Sequence, residues 1–444
     1  MNSLPALCAI GVAWLAGVGV VGWAWPRQAT LTAWSGIGLA GLLGPFAVVV
    51  LLLAAAHAGL GQTSTCAVVS IGAVAIGVTG IVRGRRASGQ VAPPGGRRAR
   101  ITLALVVAAT LAATLPLASR THLGWDGTVV WYHRARILAG SGGRVTAAAM
   151  QDRTRSWTAP DYPLHVPLAM AWVRLWLSDE DERAVKVVPA TWLIALVCLT
   201  AAAVLERGGG GRSAAMGAGA AVLLLASAPR MLVGEGSLTS GFADGPAAGL
   251  LAALVWVAWR SDWGEDRRWQ MLLAMLAAAL VWTKQEGLVA VLGVALACGL
   301  PPGRRRQPMA FALPAVLVSV AWLVTAVSLG APIGMAYEWP GLAGALARVP
   351  LIASAYVRAM ADLSVWGLLW PAGALSALMA STGSSWRGWL VVAIVVAGGA
   401  VAFTCSAWPD VGSHLAVTAP RQLVQAVPVS LVLTFGGVVS EMGD

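Results

Sequence analysis

The chain alternates, along its whole length, between long apolar stretches and short polar punctuation. Runs of Leu, Val, Ala and Gly recur at the 17–25 residues that a hydrocarbon core roughly 30 Å thick asks of a helix. Clusters of Arg, Gly and Pro separate them. The pattern predicts an all-α fold, a polytopic transmembrane helical bundle of about 13 spans. They fall at roughly 4–24, 31–57, 66–83, 101–119, 187–204, 213–229, 242–259, 268–283, 287–301, 309–329, 363–380, 388–405 and 421–438. No stretch is long and polar enough to form a separate soluble domain. The first apolar segment has no basic run before it and is followed at once by others, so it reads as a retained helix rather than a signal peptide.

Composition sharpens this reading. Of 444 residues, 58% are hydrophobic and 11% charged, against about 25% charged in an average soluble domain. Net charge is +11. In an apolar chain that charge reads as basic cytoplasmic loops in a lipid bilayer, and no nucleic-acid partner is expected. Cys8, Cys66, Cys198, Cys298 and Cys405 lie in or beside apolar segments without metal-ligand spacing, and are expected as free thiols.

The Arg clusters orient the bundle. Arg83, Arg85, Arg86, Arg97, Arg98 and Arg100 fill one connection and Arg304, Arg305 and Arg306 another. Arg260, Arg267 and Arg268 fill a third, and Arg207 and Arg212 a fourth. The positive-inside rule puts all four in the cytoplasm, with the N-terminus outside and the C-terminus inside a cell membrane. Pro163–Leu177 would reverse every later loop if it spanned. It is short, contains Arg174 and precedes the acidic run Ser178 to Glu182, so it reads as an interfacial or re-entrant helix. The chain then divides into 1–100, three N-terminal helices and a basic linker, and 101–444, a second module with a long external loop at 120–186 that carries interfacial helices.

That loop holds most of the polar chemistry. From Thr128 it reads as an amphipathic helix, with Val130, Arg134 and Ile137 or Leu138 on one face and Trp131 and Tyr132 at headgroup level. Asp126 stands just before it. It could cap the helix, or be a carboxylate held among His133, Arg134 and Arg136 to work on an acceptor hydroxyl. Lys284 and Arg421 are cations at the outer ends of apolar spans, where an ionisable residue is expensive. Glu286 sits two residues from Lys284 and can pair with it or meet a substrate. Asp161, between two prolines, can bind an acceptor or brace its loop. Asp244 reads as a helix N-cap. His414 near Asp410 reads as a structural pair. His133 and His165 show no metal-ligand pattern.

Four patches in order resemble the GT-C superfamily of polyprenyl-phosphate-sugar-dependent glycosyltransferases, most nearly the bacterial relatives of the protein O-mannosyltransferases. They are Trp125-Asp126-Gly127 with Trp131 and Arg134-Ala135-Arg136; Pro160-Asp161-Tyr162-Pro163-Leu164; Gly241-Phe242-Ala243-Asp244-Gly245-Pro246; and Thr283-Lys284-Gln285-Glu286-Gly287. A weaker fifth is Thr418-Ala419-Pro420-Arg421 with Gln425 and Pro428. The resemblance covers about 101–438. Ala159 stands where that family has His, Gly245 where it has Leu, and Pro420 where it has Asp.

The resemblance implies a transferase acting on the extracytoplasmic face. Its donor would be a polyprenyl-phosphate-linked sugar, and its acceptor a hydroxyl on a glycan, lipid or protein. Asp126 would be general base, and Trp125, Arg134, Arg136, Asp161, Tyr162, Lys284, Glu286 and Arg421 would bind substrate. No metal ligand set is visible and no cofactor is expected, although some members of that superfamily use a divalent cation. The competing class is a polytopic transporter or lipid flippase, which would show internal repeats and midplane polar residues on broken helices.

Overall fold

The computed structural model describes residues 4–26, 29, 31–87, 97–120, 122–151, 159–177, 182–259, 266–300, 308–334, 337–379 and 386–442. These residues form an all-helical bundle, and among them nine helices are long and apolar enough to cross a membrane. The protein is a multi-pass membrane protein. Arg260, Arg304 to Arg306 and the acidic residues 178–181 lie outside the described residues.

The core is built on two helices. Asp244–Ala258 is buried at every position, and Val187–Arg207 at sixteen of its twenty-one. A helix apolar all round is a core element. Asp244–Ala258 has 15 residues, about 22 Å at 1.5 Å per residue, which is short of the hydrocarbon thickness. Because protein surrounds it, it need not match the bilayer. Its shortness leaves room at one end for the irregular segment from Val233 to Ala243. Outer helices are turned inside out by comparison. Met309–Ser328 exposes Leu313, Leu317, Val320 and Val324, a three-to-four-residue stripe of the kind that faces lipid.

The first three helices, Leu4–Ala24, Ala33–His57 and Gln62–Ala87, pack on one another through small residues. A Cβ on Gly80 would stand 2.2 Å from the Gly19 carbonyl oxygen, so the backbones touch directly. They are joined to the rest. Ala33–His57 packs on Val187–Arg207, the Trp172 indole N–H donates to the Ala9 carbonyl at 2.9 Å, and Trp25 stacks against Trp256.

Three elements differ from the sequence reading. Helix Gly341–Ala361 is absent from the predicted spans; Arg348, Pro350 and Arg358 interrupt its apolar run. Glu338, just before it, donates its N–H to the Cys405 carbonyl. Leu363–Trp366, just after it, packs against Pro229–Leu232. The last helix, Val411–Met442, starts ten residues earlier than predicted, so Arg421 lies well inside it rather than at its end. The segment expected at the interface, Pro163–Leu177, contains helix His165–Arg174, in which His165 to Val173 are all buried. It is packed inside the bundle.

Candidate functional site

A cavity of about 850 Å³ opens where the irregular segments meet. Asp126, Asp161, Glu235, Asp244 and Glu286 put five carboxylates on its wall, and Lys284 and Arg421 two cations. Trp125 and Tyr162 line it too, together with Phe403, Trp408 and Val417 on an apolar side. Seven of the nine residues singled out from sequence, including residues 295 positions apart, thus share one cavity.

The charges form a connected chain. The Arg421 guanidinium donates to Asp126 Oδ2 at 2.8 Å and its Nε lies 3.7 Å from Asp244 Oδ2. The Lys284 ammonium donates to Asp244 Oδ1 at 2.8 Å and stands 3.6 Å from Glu286. The Gln425 amide donates to the same Asp244 oxygen at 3.0 Å. Asp244 is fully buried, so its ionised form depends on these donors. The expectation of an N-cap at Asp244 is corrected by this geometry. Ala243 holds the cap position without a side-chain bond, while Asp244 joins Arg421 of the last helix to Lys284, just past the end of Arg267–Thr283. Burial opposes the charge on Lys284, but Asp244 and then Glu286 outweigh it and hold its pKa above the usual lysine value.

Asp126 does not cap a helix either. It has helical backbone angles and no capping bond. Residues Gly127–Tyr132 form a single π-helical turn, a rare wide winding that recurs at functional sites. Gly127 makes the turn possible, since a Cβ there would lie 2.1 Å from the Ser240 carbonyl oxygen. Glu235 accepts from the Trp125 backbone N–H at 2.6 Å, and Gly124 N–H bonds to Ser240 O at 2.9 Å. These contacts aim the Asp126 carboxylate at Arg421. The same turn carries Trp131 and Tyr132, which are 2% and 4% exposed.

Two predicted substrate-binding residues stand elsewhere. Arg134 is buried and its guanidinium donates to the carbonyls of Ala159, Pro160 and Tyr162 at 3.1, 3.2 and 2.9 Å. Burial, partly offset by Asp161, lowers its pKa to about 10. Its work is to hold the 159–162 turn, in which Ala159 adopts a left-handed φ of 48°. Arg136 lines a second cavity of about 430 Å³ with Gln62, His133 and Arg174. Asp161 braces its loop. Its carboxylate accepts the Gly334 N–H at 3.1 Å, and its carbonyl accepts from the Gln285 amide and the Trp322 indole. The Tyr162 hydroxyl stays protonated, burial raising its pKa well above the usual value.

Sequence reading missed the role of Asp244, missed Glu235, Trp408 and Gln422, and did not join His414, Thr418, Arg421 and Gln425 into one polar face of the last helix. That face comprises His414, Thr418, Arg421, Gln422 and Gln425, at spacings of three, four or one residues, and its first four members line the cavity. Its signal was present, a polar stripe along an otherwise apolar helix. His414 does not pair with Asp410 but bonds through Nδ1 to Ser406 Oγ at 2.9 Å. Asp410 instead accepts the Gly412 N–H and the Ser413 hydroxyl at the start of the last helix. Among the described residues no group of three or more His, Cys, Asp or Glu side chains is arranged to hold a metal. No family model matches the chain, and neither does any curated protein or solved structure.

Proposed function

We propose that the protein is a membrane glycosyltransferase that moves a sugar from a polyprenyl-phosphate donor to an acceptor hydroxyl, inverting the anomeric centre. The observation that carries this reading is the Asp126–Arg421 pair, 2.8 Å apart on the wall of a cavity with an apolar side. Asp126 is about one third exposed there and Arg421 is anchored from behind by Asp244. A lipid-linked phosphate needs both an apolar approach and a cation. Arg421 is already matched by carboxylates, so the phosphate would take over its outer face from Asp126. The released Asp126 carboxylate would then accept the proton of the acceptor hydroxyl. The hydroxyl oxygen bonds to the anomeric carbon, the bond from that carbon to the phosphate oxygen breaks, and the electron pair leaves with polyprenyl phosphate. Arg421, with Lys284 behind it, stabilises the charge that the phosphate gains.

The topology proposed from the Arg clusters puts this cavity on the extracytoplasmic face. Helix Gly341–Ala361 is a candidate span outside the 13 counted, and if it crosses it reverses the side assigned to the later helices. The proposed step uses no metal; loss of activity on chelation, restored by Mg²⁺ or Mn²⁺, would overturn that part.

The test is incubation of the purified full chain with a panel of polyprenyl-phosphate sugars and acceptors, scoring release of polyprenyl phosphate. General-base assistance contributes about 10²–10⁴-fold, so Asp126→Asn is expected to slow transfer by that factor. Near-normal transfer by a folded Asp126→Asn protein would remove Asp126 from this role. Solute uptake into proteoliposomes without any transfer would replace the enzyme by a transporter.

A further inference from the structure

Trp408 stands on the cavity wall and is 53% exposed. A half-exposed Trp in a membrane protein is ordinarily a belt residue at the headgroups. Trp408 is built differently. Its ring is stacked on His414, centroids 4.5 Å apart and planes within 12°. His414 packs edge-on against Phe403 at 5.1 Å, and its Nδ1 is bonded to Ser406 Oγ. Ser406 Oγ also accepts the Trp408 backbone N–H at 3.3 Å. The connecting segment is tied down by Arg348, which donates to the carbonyls of Thr404 and Ser406 at 2.9 Å each, and by the Tyr337–Ser406 bridge. Among the described residues Trp408 has no ring partner but His414.

One indole face is thus backed by His414, and the half-exposed residue lines the cavity. Indole presents an electron-rich face. The complementary ligand surface is flat, weakly positive and apolar, which describes the C–H face of a pyranose. The four partly exposed carboxylates of the same cavity, Asp126, Asp161, Glu235 and Glu286, are acceptors for the hydroxyl groups at the ring's edge. We propose that Trp408, on its His414 backing, is the platform on which a sugar ring lies in this cavity. The proposal deepens the glycosyl-transfer reading and rests on it for the ring's role in turnover, but not for binding.

The test uses the full chain in micelles, with two measurements. The first is saturation-transfer NMR and calorimetric binding of a panel of methyl hexopyranosides to wild type, Trp408→Phe and Trp408→Leu. The second is polyprenyl phosphate release, resolved into kcat and KM. A stacking contact of this kind is worth about tenfold in affinity. Trp408→Leu should weaken binding and raise KM by about that factor with kcat little changed, while Trp408→Phe retains most of both. The platform is overturned if wild type binds no hexopyranoside, if binding is unchanged in Trp408→Leu, or if the effect is confined to thermal stability as a belt residue would give. Turnover with an unchanged KM in Trp408→Leu sinks the platform and leaves transfer standing. Trp408-dependent binding without turnover of any donor does the reverse.

Discussion

Replacing Asp244 by Asn removes one charge from the centre of the network and almost no volume. Lys284 and Arg421 would then face each other's charge without their common counter-ion. Breaking a buried ion pair by neutralising one partner costs about 3–5 kcal/mol. Lys284 keeps Glu286 at 3.6 Å and Arg421 keeps Asp126 at 2.8 Å, which favours the low end of that range. The expected loss is about 3 kcal/mol, or roughly a hundredfold in the unfolding equilibrium. It is measurable by reversible SDS titration in mixed micelles. Lys284→Met should cost a similar amount, and the double variant less than the sum by at least about 1 kcal/mol. The pH dependence has a defined sign. Burial lowers the Lys284 pKa and Asp244 restores it. Without Asp244 the folded-state value falls below the unfolded one, so protonated Lys284 works against folding. The deficit of Asp244→Asn should therefore narrow as pH rises from about 7 towards 10. A deficit under about 1 kcal/mol, or strict additivity with Lys284→Met, would refute the argument that Asp244 is the shared counter-ion.

Other substitutions separate scaffold from site. Arg134→Lys loses the planar fork that serves three carbonyls, and should lower stability by about 1–3 kcal/mol in the same titration. Ala159→Gly relieves a left-handed residue at φ 48° and should be neutral or stabilising, by up to about 1 kcal/mol. Gly80→Val drives a side chain into the Gly19 backbone, and a melting-temperature drop equivalent to about 1–3 kcal/mol is expected in micelles. His165 is buried against Thr283 and its pKa is lowered to about 3. Its contribution is full above the unfolded value near 6.5 and is lost as pH falls from there towards 3, by up to about 1.4 kcal/mol per unit. His165→Gln should flatten that slope in a series of melting curves from neutral to acid pH.

The helices were legible because lipid imposes one simple condition, a run of apolar residues long enough to cross it. That condition fails for Gly341–Ala361, where two arginines and a proline interrupt the run although most of its surface faces outward. It is also indifferent to burial, which is why the lipid-facing Met309–Ser328 and the core helix Asp244–Ala258 look alike in sequence. The charged site was legible on the converse ground, that an ionisable group in apolar surroundings needs a reason. Lys284 and Arg421 were found that way, whereas Asp126 was marked by its place before the amphipathic helix of the external loop and by the resemblance. Asp244 carries the same signal, a carboxylate heading a wholly apolar helix, but a helix start offers it a cheaper explanation that only geometry removes. Arg134 and Arg136 fail for a reason sequence does contain: residues two apart on a helix do not face the same way, so at most one could have reached the cavity. The π-helical turn at Gly127–Tyr132 then rotates that face, burying Trp131, Tyr132 and Arg134 together. Sequence marks where a charge is expensive. Which opposite charge answers it depends on backbone rotations and on contacts 40 to 295 residues distant, as Lys284–Asp244 and Arg421–Asp126 illustrate.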